Sequence, residues 1–394
     1  MINISDVEVL DFHAHHFKKS FLLDISRNDY DRRMPHWRSF IIYLAAVYGC
    51  KPIVEEVDKI LSKKYEGDFL EYVQTVLDRE KISKVQIVSE TGNSEGAGEF
   101  PKERYVWAIN TDGIMDPNWA KSKGATTIDE VQDLINTMLN KAVNNGCSSL
   151  KNIFCGRRSL TINPKLTEDD ANKAYQHLSM AKPLKEAEFR KEYYALPKEL
   201  RPDYLGFIKP PIYEDPRDIK SLEIYQDYLL KYLTIKAGQL DLPYAFHTGG
   251  GQGPGYDVRN VNPMNLLPLL YDRDVNEAET KIVVLHGGVP FIDIAAAMVS
   301  QFPNLYIDTS WPCQTTIIRK ILESNLEVNS PTKIMYGTDS NWIPELLAQS
   351  AQNVRWQLTP ILNELNRSGY SEGECIEIAE QILYKNAKKL LKIP

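Results

Sequence analysis

Cysteine is scarce in this chain: five residues among 394, widely spaced and with no CxxC pair. An odd, scattered set argues against a disulfide framework and fits reduced thiols in a cytoplasmic protein. No apolar stretch approaches the ~20 residues that a membrane helix needs, and the run from Phe40 to Val47 is too short. The N-terminus shows no basic segment followed by an apolar one, so no secretory signal is expected. Positive charge is not in excess. The net charge of −7 argues against nucleic acid or an anionic membrane as partner. Internal repeats and low-complexity tracts are also missing. Ser310 and Ser340 stand outside any GxSxG elbow, which argues against a serine hydrolase.

What is present is the composition of a globular protein with a substantial core, 43% hydrophobic and 25% charged. Eight short β-type runs can be marked: Val7–Phe12, Lys84–Ser89, Tyr105–Asn110, Ser149–Phe154, Pro243–Phe246, Lys281–Leu285, Leu305–Asp308 and Lys333–Tyr336. Most are near-continuously apolar, as strands buried on both faces of a parallel sheet are. Helical periodicity lies between most of them, at Ile128–Val143, Leu222–Lys236, Phe291–Phe302 and Glu374–Leu391. Strand and helix alternating eight times predict a (β/α)8 TIM barrel in a single domain, 1–394. Two segments exceed ordinary barrel loops, about 16–80 after strand 1 and about 156–220 after strand 4. The first contains helical patterns at Trp37–Tyr48 and Val54–Leu77; the second leaves open a ninth strand at Leu205–Pro210. Both are expected to form a helical cap on the catalytic face. The acidic run Glu168-Asp169-Asp170 reads as a solvated helix N-terminus.

The chemistry gathers at the strand ends. His13 and His15 end the first run, His247 the fifth, His286 the sixth, and Asp339 follows the eighth. A His-x-His pair on a strand points both imidazoles to one face. Imidazole plus carboxylate suits zinc, iron or manganese, and in a barrel the strand C-termini converge on one mouth. Each histidine alone is more often an ordinary core residue; the ordered set carries the metal reading. His16 could line the mouth, while His36 and His177 are expected on the surface or cap.

These pieces are DFHAHH at 11–16, AFHTGGG at 245–251, VVLHGGVPF at 283–291, NLYIDTS at 304–310 and IMYGTDS at 334–340. Together they resemble the amidohydrolase superfamily, and particularly its amidohydrolase-2 branch. The resemblance implies a divalent metal, usually zinc, held by His13, His15, His247 and Asp339, with His286 at the substrate or the activated water, or as a further ligand. In binuclear members a carbamylated lysine on the fourth strand bridges two metals. Lys151 stands on that run and Lys209 is a weaker competitor; one ion is favoured and two remain open. A bound zinc lowers the pKa of its water to about 7. Asp339 can then move the proton, and His286 can polarise the substrate carbonyl.

Substrate signals are thinner. Arg157 and Arg158 follow the fourth strand, and Arg259 closes the glycine-rich run 249–255. Guanidinium groups at a barrel mouth suit a small anion. The glycine run permits close backbone approach but lacks the GxGxxG context of a dinucleotide site. Trp311 and Trp342 could wall the pocket. Cys155 and Cys313 could be nucleophiles, although buried inert thiols are more common. The leading expectation is a metal-dependent hydrolase of an amide, ester or lactone bond in a small anionic substrate. The first alternative is a metal-dependent decarboxylase similar to aminocarboxymuconate-semialdehyde decarboxylase, of the same branch. A second is a non-catalytic barrel module, since related barrels occur fused to glutamine-synthetase-like modules. Self-association is open, with Tyr43, Tyr48, Tyr193, Tyr194 and Tyr204 available to an interface or to the pocket.

Overall fold

The computed structural model describes residues 1–17, 35–89, 93, 95, 98–182, 213, 215–249, 257–311 and 316–394. The strands are β1 (Val9–Phe17), β2 (Ile82–Ser89), β3 (Tyr105–Asn110), β4 (Cys147–Asn152), β5 (Tyr244–Phe246), β6 (Ile282–Val284), β7 (Leu305–Asp308), β8 (Ile334–Met335) and β9 (Ser340–Trp342). The chain divides into two compact units, one of Met1–Ile109, Gly146–Ser148 and Tyr306–Pro394, the other of Asn110–Asn145 and Ser149–Leu305.

In the first unit β1 runs parallel to β2 (Val9 opposite Ile82, Ala14 opposite Ile87), and β2 runs parallel to β3. β7 pairs parallel with β8 through Ile307 and Ile334. The eighth strand then meets the first: the Phe12 amide donates to the Tyr336 carbonyl at 3.0 Å, and Ala14 pairs with Ser340 of β9, a short continuation of that strand. In the second unit β4, β5 and β6 lie side by side and parallel, with Leu150 opposite Tyr244 and Tyr244 opposite Ile282. Parallel strands joined through helices make this a (β/α)8 barrel. The connection between β2 and β3 carries a three-residue turn, Lys102–Arg104.

Local chemistry explains most boundaries. Thr127 and Glu130 form a reciprocal capping box that starts the helix Ile128–Asn144, whose buried face is Ile128, Val131, Ile135, Leu139 and Ala142. Thr167 does the same for Glu168–Met180, so the acidic run is a helix N-terminus as expected. The pattern over Val54–Leu77 resolves into two helices, Val54–Glu66 and Phe69–Arg79. Asp68 splits it, its carboxylate accepting from the Leu70 and Glu71 amides at 3.0 and 3.1 Å. The C-terminal helical region is Glu372–Glu380 and Asn386–Leu390 joined by a π-helical turn at Gln381–Lys385. Leu205–Pro210, Lys209, Cys313, three of the cap tyrosines (Tyr193, Tyr194, Tyr204) and glycines 250–255 lie outside the described residues. No helix among the described residues is long and apolar enough to cross a membrane.

Candidate metal centre

β1 does not end before its histidines; it runs through them to Phe17. His13 and His15, two apart on the strand, share one face, and the pairing with β2 shifts register between Asp11 and Ala14. His13 and His15 are almost fully buried, at 1% and 7% exposure. Their Nε2 atoms reach the same oxygen, Asp339 Oδ1, at 3.2 and 3.1 Å. The rings meet edge to face with centroids 5.2 Å apart. Asp339 lies in the left-handed region at φ 55°, where aspartate is tolerated better than most residues. Its amide donates to the His13 carbonyl at 2.7 Å, so that backbone turn is held against the strand carrying its partners. Gly337 lies just before the turn, where an added Cβ would come within 2.8 Å of Asp308 Oδ2 and 3.4 Å of His13 Cβ. Two buried imidazole nitrogens converging on one carboxylate oxygen form a donor set that fits a divalent cation in chemistry and spacing.

Beneath this triad is a residue the sequence reading passed over. Asp11 is fully buried, and burial pushes its carboxyl up to about 8, against the lowering effect of hydrogen bonds from Thr338 and His13. The signal was available: Asp11 precedes His13 by two on the same apolar run.

The second unit holds the other histidines. Lys151 on β4 is opposite Ala245, and His247 two positions on shares that face. Lys151 is 1% exposed and His247 2%. The His247 amide donates to the Asn152 carbonyl at 2.8 Å, extending the strand pairing by one residue. His286 falls at the wrong parity for the same face, and its φ of 62° turns the chain there. The outcome is a ring pair, with His286 Nε2 2.9 Å from His247 Nδ1. Thr248 Oγ1 donates to the Leu285 carbonyl at 2.8 Å and ties the two strand ends together.

The three arginines are differently placed. Arg158 donates to Asp227 at 2.6 Å and to the Glu223 and Thr161 carbonyls, bonds internal to this unit. Arg259 is largely exposed and chelates Asp257 two residues before it, its Nε 3.0 Å from both carboxylate oxygens. Arg157 is exposed and takes part in no ion pair among the described residues. Gly249, at φ 78°, packs against the Val289 backbone, where a Cβ would meet the carbonyl oxygen at 2.8 Å. Cys155 is buried. Trp311 and His16 are half-buried; the side chains of Trp342 and His36 lie outside the description. His177 pairs with Asp218 at 2.7 Å and is 42% exposed, in keeping with a surface position.

In a parallel α/β barrel, imidazole and carboxylate donors at strand ends stand where such barrels carry their active sites. Residues 209–393 match the family model Amidohydro_2, described as Amidohydrolase. Through this stretch the chain is similar to the amidohydrolase-2 branch. Protein fluG of Emericella nidulans is 25% identical over 162 residues; the alignment takes in 40% of this chain and 18% of that one. A Lactobacillus casei protein assigned as a metal-dependent hydrolase superposes with a TM-score of 0.72 at 14% identity, covering 99% of this chain and 96% of its own. Uronate isomerase from Thermotoga maritima superposes with a TM-score of 0.67 at 12% identity, covering 98% and 95%. At these identities the structural likenesses establish the fold.

Proposed function

We propose that the protein is a metal-dependent hydrolase that cleaves an amide, ester or lactone bond in a small anionic molecule. The observation that carries this reading is the convergence of His13 and His15 Nε2 on Asp339 Oδ1. These three residues would hold the ion, and the resemblance implies His247 as a further ligand. Zinc is the ion this donor set favours, and when bound it supplies an activated water at neutral pH. Asp339 takes a proton from the nucleophile at its carboxylate and returns it to the leaving group. His286, oriented by its hydrogen bond to His247, meets the substrate carbonyl as charge develops there. The second role of Asp339 requires a carboxylate, so its amide analogue would keep the shape and lose the proton transfer.

Lys151, on the face of its strand shared with His247, is the residue a second ion would need, in carbamylated form. Arg157 is the arginine most available for a substrate anion, since Arg158 and Arg259 are already committed to Asp227 and Asp257. The test is metal content by plasma mass spectrometry on chelator-free protein, with Asp339→Ala and Lys151→Ala beside it. Product analysis follows on a panel of amides, esters, lactones, aromatic carboxylates and uronates. We expect about one zinc per chain, lost in Asp339→Ala and kept in Lys151→Ala, and a new acid with its amine or alcohol. Two ions, one lost in Lys151→Ala, would replace the single-ion reading with a bridged pair. Carbon dioxide release without hydrolysis would replace hydrolysis by decarboxylation. A chain that takes up no zinc, manganese or iron would overturn the metal reading altogether.

A further inference from the structure

The Asp11 carboxylate touches the backbone on both sides of the triad. Oδ1 accepts from the His13 amide and from the Thr338 amide, each at 3.0 Å. Oδ2 accepts from Thr338 Oγ1 at 2.6 Å, and that hydroxyl oxygen accepts in turn from the Ser340 amide at 3.0 Å. The peptides so held flank Asp339 at positions 338 and 340, and Asp339 is the residue in the left-handed conformation. One buried carboxylate therefore fixes the backbone of a histidine donor and both neighbours of the aspartate donor. Left-handed backbone at a non-glycine residue persists only where its surroundings enforce it.

We propose that Asp11 is a positioning residue for the metal centre: through Thr338 it holds Asp339 in its left-handed turn, so that Oδ1 meets the imidazoles of His13 and His15. In this role Asp11 acts through Thr338 and the His13 amide and not as a ligand. It rests on the metal reading above and adds to it a residue outside the ligand set. Supporting groups of this kind characteristically change metal affinity by about 10- to 100-fold when removed.

The experiment is zinc affinity by competition with a chromophoric chelator on the metal-free full-length protein, at a temperature below every variant's melting point. The variants are Asp11→Ala, Asp11→Asn and Thr338→Val. Asn keeps Oδ1 for the two amides, and its Nδ2 can donate to Thr338 Oγ1, whose hydrogen is then free to turn to the His13 carbonyl 3.5 Å away. Asp11→Ala and Thr338→Val should bind zinc about tenfold or more weakly, with Asp11→Asn restoring most of the loss. Should Asp11→Ala not fold, Thr338→Val, which removes one hydroxyl at nearly constant volume, decides alone. Wild-type affinity in folded Asp11→Ala, or in Thr338→Val, overturns the positioning role and leaves the metal reading standing. A wild-type chain that binds no zinc removes both.

Discussion

At Gly337 the chain passes so close to Asp308, Ser310 and His13 that a methyl group has no room. All three neighbours are buried, so none can swing aside into solvent. Gly337→Ala should therefore destabilise the protein by about 1–3 kcal/mol, the usual range for overpacking, and weaken zinc binding by pushing on His13. Thermal melting of metal-free protein together with a zinc titration checks both. Unchanged affinity with a lowered melting point would mean the strain relaxes away from His13.

Among the elements, the helices inserted after β1 are fastened to the helix Pro344–Arg367 by a buried acid. Glu345 is fully buried, and its carboxylate accepts from Tyr65 at 2.8 Å, from Tyr48 at 3.5 Å and from Tyr72. Burial raises its pKa above 4.5, opposed by the tyrosine hydrogen bonds. A carboxyl whose folded pKa exceeds its unfolded value stabilises the fold below the unfolded pKa, and that contribution is lost as pH rises through the folded one. The contribution of Glu345 to the melting temperature should thus decline as pH rises from about 4.5, and Glu345→Gln should remove that decline, gaining most over the wild type at alkaline pH. Parallel pH profiles of the two proteins read this directly; identical slopes would show that Glu345 does not titrate differently on folding.

The same elements show what was legible in the sequence. Apolar runs marked β3 and β7 to the residue, because strands buried on both faces leave a continuous hydrophobic trace. β1 reads as ending at Phe12 since polar residues normally mark strand ends, whereas here a polar face is needed inside the strand. The break at Asp68 was visible as a capping residue after glycine, but the apolar period continued across it. The His247–His286 ring pair was not legible, because it depends on a left-handed backbone at His286 that no periodicity announces. Nor were the ties of Arg158 and Arg259, which depend on carboxylates brought near by folding or turn geometry.

For the whole molecule, the proposed ion would link ligand binding to stability. Zinc at about 100 times its dissociation constant should add about 2.7 kcal/mol to the folded state. Stripping with chelator should lower the melting temperature and zinc should restore it, with Asp339→Ala insensitive to both. A wild-type melt that ignores chelator and added zinc alike would disconnect the ion from the fold.

The alternation along β1 has one more consequence. A slip of one residue against β2 would replace His13 and His15 on their face by Ala14 and His16. A single imidazole would then remain where two stand now. A bound ion would thus proofread strand register: misaligned chains would fail to load, and the loaded fraction of a refolded preparation would count the chains whose first strand found its place.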